Sequence, residues 1–174
     1  ASRDAALVQP GLAPGSYSLQ VTPATGAGGV ALAEVYDASV ASSATAPRLV
    51  NLSARTQVGT GANLLIAGFA IGGETSKTVL IRAVGPGLAP FGVTGTLADP
   101  QLELYGGSTL LAVNDNWQAS AGDTFTAVGA FALPASSRDA ALLVTLAPGS
   151  YTAQVSGIGN TTGVALVEVY VLNP

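Results

Sequence analysis

The stretch SRDAALVQPGLAPGSYSLQV, residues 2–21, returns as SRDAALLVTLAPGSYTAQV at residues 137–155. A second echo follows, GVALAEVY at 29–36 and GVALVEVY at 163–170. After the LAPG motif the copies lie 134 residues apart, from Glu34 to Glu168; before it the offset is 135, from Ser2 to Ser137. The first copy therefore carries one extra residue, placed near positions 9–11. Self-similarity at a fixed spacing marks a repeated structural unit. Residues 46–115 occur once, so the unit is about 130 residues long and the chain holds more than one but fewer than two of them. The expected organisation is a back half of one unit at 1–38, a small, mostly polar linker SVASSATA at 39–46, and a complete unit at 47–174.

The unit reads as all-β. With 22 Gly and 10 Pro, turns are frequent, and the Val, Leu, Ile and Thr content suits strands. Strands are expected at 48–54, 63–71, 77–84, 101–105, 109–113, 140–146, 149–156 and 163–171, with Gly106, Gly107 and Ser108 closing a hairpin. Three more are expected in the partial copy, at 5–8, 16–22 and 29–36. A helical turn fits 85–91 or 135–141, and no long amphipathic helix is present. Short strands at this spacing predict an antiparallel β-sandwich or jelly roll. Tyr17 and Tyr151 stand at strand entrances after a Pro-Gly turn, where a tyrosine buries its ring and hydrogen-bonds its hydroxyl; the recurrence predicts one geometry built twice.

Composition removes several functions. Only 9% of residues are charged, against roughly 25% in an average domain, and the six basic residues are dispersed. That excludes a nucleic-acid groove and a polybasic membrane patch. The apolar run at 64–71 is broken by Gly68 and is far short of a membrane-spanning helix. There is no Cys, hence no disulfide framework. There is no Met, not even at position 1, which predicts a processed chain or a portion of a longer one. There is no His, which removes histidine-based catalysis and histidine metal sites. Lys77, the one lysine, stands beside Ser76 at a strand start and reads as solvated rather than catalytic. Glu34 and Glu168 read as outward-facing acids on half-buried strands, with an arginine as a suitable partner. The chain is not expected to be an enzyme.

The richest polar cluster is Asn114, Asp115 and Asn116, followed by Trp117. Clustered Asn and Asp oxygens suit calcium, with Asp99 and Glu103 as further ligands if the hairpin gathers them. The same cluster also suits an Asx turn that caps its own backbone. Trp117 suits a core plug better than a sugar-stacking platform.

The stretches RLVNLSARTQVGTGANLLIAGFAIGG, KTVLIRAVGPGLAPFGVTGTLADPQLELY, LAVNDNW, SRDAALLVTLAPGSYTAQV and GVALVEVY resemble a repeat found in tandem in large exported proteins of Verrucomicrobia-like bacteria. ELY, LLAVNDNW and LAPGSYTAQV are also similar to β-sandwiches of the pre-peptidase C-terminal type. The resemblance covers nearly all of 47–172 and, as a partial copy, 1–38. It implies export, a β-sandwich, a modular secreted or surface role and calcium near Asp115; it supplies no catalytic residues.

The first functional expectation is a structural module of an extracellular fibre, stalk or adhesin. Its partner is itself, through tandem packing or β-strand complementation. Leu7, Tyr17, Leu19, Val21, Val30, Leu32 and Val35 of the partial copy are the expected assembly residues. The alternative is a calcium-assisted module binding a carbohydrate or another ligand, with Tyr105 and Trp117 as the uncommitted aromatics.

Overall fold

The computed structural model describes residues 4–26, 28–38 and 48–172. The expected linker 39–46 lies outside the described residues. The chain divides into two compact units, Ala1–Leu49 and Val50–Pro174.

The second unit is an antiparallel β-sandwich. Its strands are β1 (Asn51–Val58), β2 (Leu65–Ile71), β3 (Lys77–Val84), β4 (Pro100–Gly106), β5 (Thr109–Asn114), β6 (Ala140–Leu146), β7 (Gly149–Gly157) and β8 (Gly163–Val171). One sheet has the order β1-β8-β3-β6 and the other β2-β7-β4-β5. The sequence-expected strands agree to within a few residues, with β3, β6 and β8 matching at both ends. The expected helical turn forms at Pro86–Phe91 as a 3-10 helix. A six-residue helix, α1 (Gly122–Ala127), was not expected; it is too short to show a periodic apolar stripe.

The two sheets are covered differently, and the sequence carries the imprint. Between them lies a core that includes Val79, Ile81 and Ala83 of β3, Leu102 and Leu104 of β4, Ala153 and Val155 of β7, and Val167 and Val169 of β8. The other face of the β1-β8-β3-β6 sheet holds a second core: Leu80 and Val84 of β3 and Tyr170 of β8 pack against Leu88, Phe125, Ala130 and Leu133. These last four belong to the 3-10 segment and the 115–139 connection, which form a cap. Strands covered on both faces favour apolar side chains on both, so KTVLIRAV and GVALVEVYV do not alternate, apart from the paired charges Arg82 and Glu168. β4 is covered on one face and does alternate, as PQLELYG.

Close backbone approach fixes the seam between β8 and the strap before β4. Leu97, fully buried, donates its N–H to the Val164 carbonyl at 2.8 Å, and Val164 donates to the Gly95 carbonyl at 2.8 Å. A Cβ on Gly85 would sit 2.1 Å from the Leu97 carbonyl oxygen, and one on Gly163 would sit 2.5 Å from the Leu97 nitrogen. The obstacle is main chain in both cases and cannot swing aside.

The first unit differs from expectation. None of the strands expected at 5–8, 16–22 and 29–36 is present among its described residues. Their equivalents in the second unit, β6, β7 and β8, form ladders with β1 through β4. Those partners have no counterpart in residues 1–38, and a strand without a neighbour cannot satisfy its main-chain polar groups in a ladder.

Two outcomes test this account. Deleting residues 1–38 is expected to leave a folded sandwich that still unfolds cooperatively, measured by circular dichroism. Gly85→Ala is expected to destabilise it by about 3 kcal/mol or more in urea titration, since overpacking against main chain cannot relax.

Candidate functional site

The polar residues that the fold brings together lie beneath the cap, on the outer face of the β1-β8-β3-β6 sheet. Arg82 in β3 stands directly opposite Glu168 in β8. It is completely buried, and Glu168 is 4% exposed. Arg82 Nε donates to Glu168 Oε2 at 2.8 Å, Nη2 donates to the same oxygen, and Nη1 donates to the Phe131 carbonyl at 2.6 Å. The guanidinium carbon lies 4.5 Å from the Phe131 ring centre, 4.8 Å from Phe125 and 5.9 Å from Tyr170. The cation is thus held by a carboxylate, a carbonyl and aromatic faces in place of water. Tyr170, two residues after Glu168 and on the same strand face, donates its hydroxyl to Glu168 Oε1 at 2.7 Å. Burial, followed by this hydrogen bond and the carboxylate charge, pushes the Tyr170 hydroxyl well above its ordinary pKa.

Glu168 therefore does pair with an arginine. It is not, however, an outward-facing acid on a half-buried strand. The cap that buries it comes from a connection distant in sequence, which strand alternation cannot reveal.

A second buried acid, Asp139, holds the chain reversal after β3. Its Oδ1 accepts the Gly85 N–H at 2.8 Å and the Gly87 N–H at 3.1 Å, and its Oδ2 accepts Gly87 at 3.0 Å. Ser137 donates to Oδ2 at 2.6 Å and accepts the Trp117 indole N–H at 3.1 Å. Trp117 is half-buried, its ring 5.4 Å from Phe125. Arg138, between these two residues, pairs with Asp99 at 2.8 Å on the surface. Each residue of the Ser-Arg-Asp motif thus grips a different part of the unit's front half.

The five expected calcium ligands do not converge. Asn114 faces Leu102, a core residue, while Glu103 faces Val113. Neighbouring strand positions project to opposite faces, so Asn114 and Glu103 lie on opposite sides of the sheet. Asn114 and Asn116 do meet: Asn114 Nδ2 donates to the Asn116 carbonyl at 3.1 Å, while its Oδ1 accepts the Ala141 N–H at 3.0 Å. Glu103 accepts the Tyr105 hydroxyl at 2.8 Å, and this bond raises the tyrosine's pKa. Asp99 is engaged by Arg138, although its Oδ1 is buried without a hydrogen bond. Asp115 is exposed at the turn. Among the described residues no three His, Cys, Asp or Glu side chains are grouped to hold a metal ion. An open cleft of about 560 Å³, lined by residues including Asn51, Asp123 and Thr124, lies beside α1.

The partial copy keeps the local parts of this arrangement. Tyr17 donates to the Ala13 carbonyl at 2.7 Å, as Tyr151 does to Ala147 at 2.8 Å. Tyr36 donates to Glu34 Oε1 at 2.8 Å, as Tyr170 does to Glu168. The hydroxyl contacts are built twice; the ring burial is not, since Tyr17 is exposed and Tyr151 half-buried. All seven expected assembly residues, Leu7, Tyr17, Leu19, Val21, Val30, Leu32 and Val35, are exposed.

Neither a family model nor a curated protein matches the chain. Among solved structures it is similar to the pre-peptidase C-terminal domain of a Bacillus anthracis collagenase, at 13% identity and TM-score 0.43, over 69% of this chain and 89% of that one. It is also similar to a Paenibacillus cycloisomaltooligosaccharide glucanotransferase complexed with cycloisomaltoheptaose, at 14% identity and TM-score 0.34, over 71% of this chain and 17% of that one. Likenesses of this strength assign no activity.

Removing one side of the buried pair is expected to be severe. Arg82→Ala should cost about 3–5 kcal/mol in urea titration, because it leaves Glu168 buried without a counter-charge. Alkali should also weaken the unit. Below about pH 10, the ordinary tyrosine value, Tyr170 is protonated in both folded and unfolded chains. Above it the unfolded chain releases the proton first, so stability falls as pH rises toward the folded pKa. Tyr170→Phe should flatten this decline in urea midpoints measured above pH 10.

Proposed function

We propose that the chain is a non-catalytic structural module of an exported fibre, stalk or adhesin, made of β-sandwich units joined in tandem. The observation that carries this reading is the partial copy itself. Leu12, Leu19, Val21 and Val35 correspond to the buried Leu146, Ala153, Val155 and Val169 of the complete unit, yet here they face solvent. A surface of that kind suits joining rather than solubility. The complete unit's buried charges also favour a structural part, because they are sealed beneath the cap with their bonding capacity directed at the chain itself. The calcium and glycan reading has less support, since its proposed ligands are spread over two faces of a sheet.

Arrays of two, four and six copies of the 134-residue period are expected to appear in negative-stain micrographs as stiff particles whose length grows in proportion to copy number. Collapsed or irregular particles would overturn the proposal. A calcium-dependent rise in melting temperature, or a specific hit on a glycan array, would favour the binding module.

A further inference from the structure

The partial copy carries a carboxylate, Glu34, whose counterpart Glu168 is buried in the second unit. Leu19 and Val21 are 62% and 60% exposed, whereas their equivalents Ala153 and Val155 are fully buried. Tyr36 is 78% exposed and its equivalent Tyr170 is 8% exposed. Glu34 corresponds to Glu168. Among the described residues the partner of Glu34 is the Tyr36 hydroxyl, whereas Glu168 has both the tyrosine and Arg82. Asp4 corresponds to Asp139, which accepts two N–H groups from the Gly85-Pro86-Gly87 turn. The groups that complete both acids in the second unit therefore lie within six consecutive residues, Arg82-Ala83-Val84-Gly85-Pro86-Gly87, on and just after the central strand β3.

We propose that residues 4–38 are the receiving half of a split sandwich, and that their partner is the front half of another repeat carrying the Arg-Ala-Val-Gly-Pro-Gly signature. This rests on the tandem reading above only in naming a repeat as the partner. The incoming β3 equivalent lays its arginine against Glu34, as Arg82 lies against Glu168. At the same time its apolar neighbours cover Leu19, Val21 and Val35. Charge and register act together: a slip of one residue turns the arginine to the opposite face, away from the carboxylate. An apolar surface alone would accept many strands; a carboxylate that must be buried accepts only one that brings a cation. The latch selects partner and register in one step.

The test extends the intact chain with a copy of residues 47–136 joined directly before Ser2, reproducing the junction that precedes Ser137. Amide hydrogen exchange at 16–22 and 29–36 is expected to slow by at least about a hundredfold relative to the parent chain. Glu34→Gln is expected to lower one unfolding midpoint of the extended chain by about 5 °C or more and to shift the parent chain's midpoint by less than about 1 °C. Arg82→Met in the added copy alone should reproduce the effect of Glu34→Gln, and combining the two should cost less than their sum. Unchanged exchange at 16–22 and 29–36, including through aggregation of the extended chain, would overturn the proposal. So would equal effects of Glu34→Gln in both chains. A parent chain that already protects these segments by forming dimers in light scattering would make a second copy the occupant and overturn it as well. These readouts report completion of one unit and are independent of whether long arrays form stiff rods.

Discussion

A guanidinium with no access to water governs how the complete unit is assembled. Arg82 sits in the centre of a sheet, and burying its charge is costly unless every side of it is answered. Glu168 answers from the neighbouring strand, the Phe131 carbonyl and two phenylalanine rings from the cap, and Tyr170 closes the far oxygen of the carboxylate. β3, β8 and the cap are thereby held in one relative arrangement. The apolar residues around the cluster supply most of the burial, but they could slide; the ion pair and its carbonyl contact could not without stranding a charge. Asp139 does the same at the end of β3, tying the start of β6 to the turn at Gly85 and Gly87.

The two copies separate local from distant causes within one molecule. Tyr17 and Tyr151 make the same bond four residues back, and Tyr36 and Tyr170 the same bond two residues back, whether or not a sheet surrounds them. Contacts within a few residues cost little chain entropy and form wherever the sequence supplies them. Strand pairing is different. The equivalents of 16–22 and 29–36 are strands only where residues from β1 through β4, up to 119 positions away (Asn51 opposite Tyr170), supply ladders on both sides. With those partners missing, the same sequence keeps its side-chain contacts and loses its strands.

The candidate site was legible in part. The repeat itself drew attention to Ser137, Arg138, Asp139, Glu168 and Tyr170, and all five are engaged in specific contacts. Arg82 drew no attention because it occurs inside a run, KTVLIRAV, that reads as a buried strand; the signal was available in the charge itself, a single cation among apolar neighbours. The cap left almost no trace, since α1 is shorter than two turns and its flanks are irregular. Asn114, Asp115 and Asn116 read as one ligand group because they are adjacent, but Asn114 ends β5 with its side chain bonded to main chain, while Asp115 stands exposed at the turn that follows.

What this sequence determined by itself is the period, the strand content of the second unit and the hydroxyl contacts of Tyr17 and Tyr151, because each depends on residues close together in the chain or on patterns repeated along it. Only the tertiary structure decided that one sheet is covered on both faces, that the carboxylate of a strand reading half-exposed is sealed under a cap, and that 139–171 forms strands while its near-copy at 4–38 does not. Those outcomes depend on what lies across the sheet. A strand's own residues record which sides are apolar, but not which distant segment arrives to cover them.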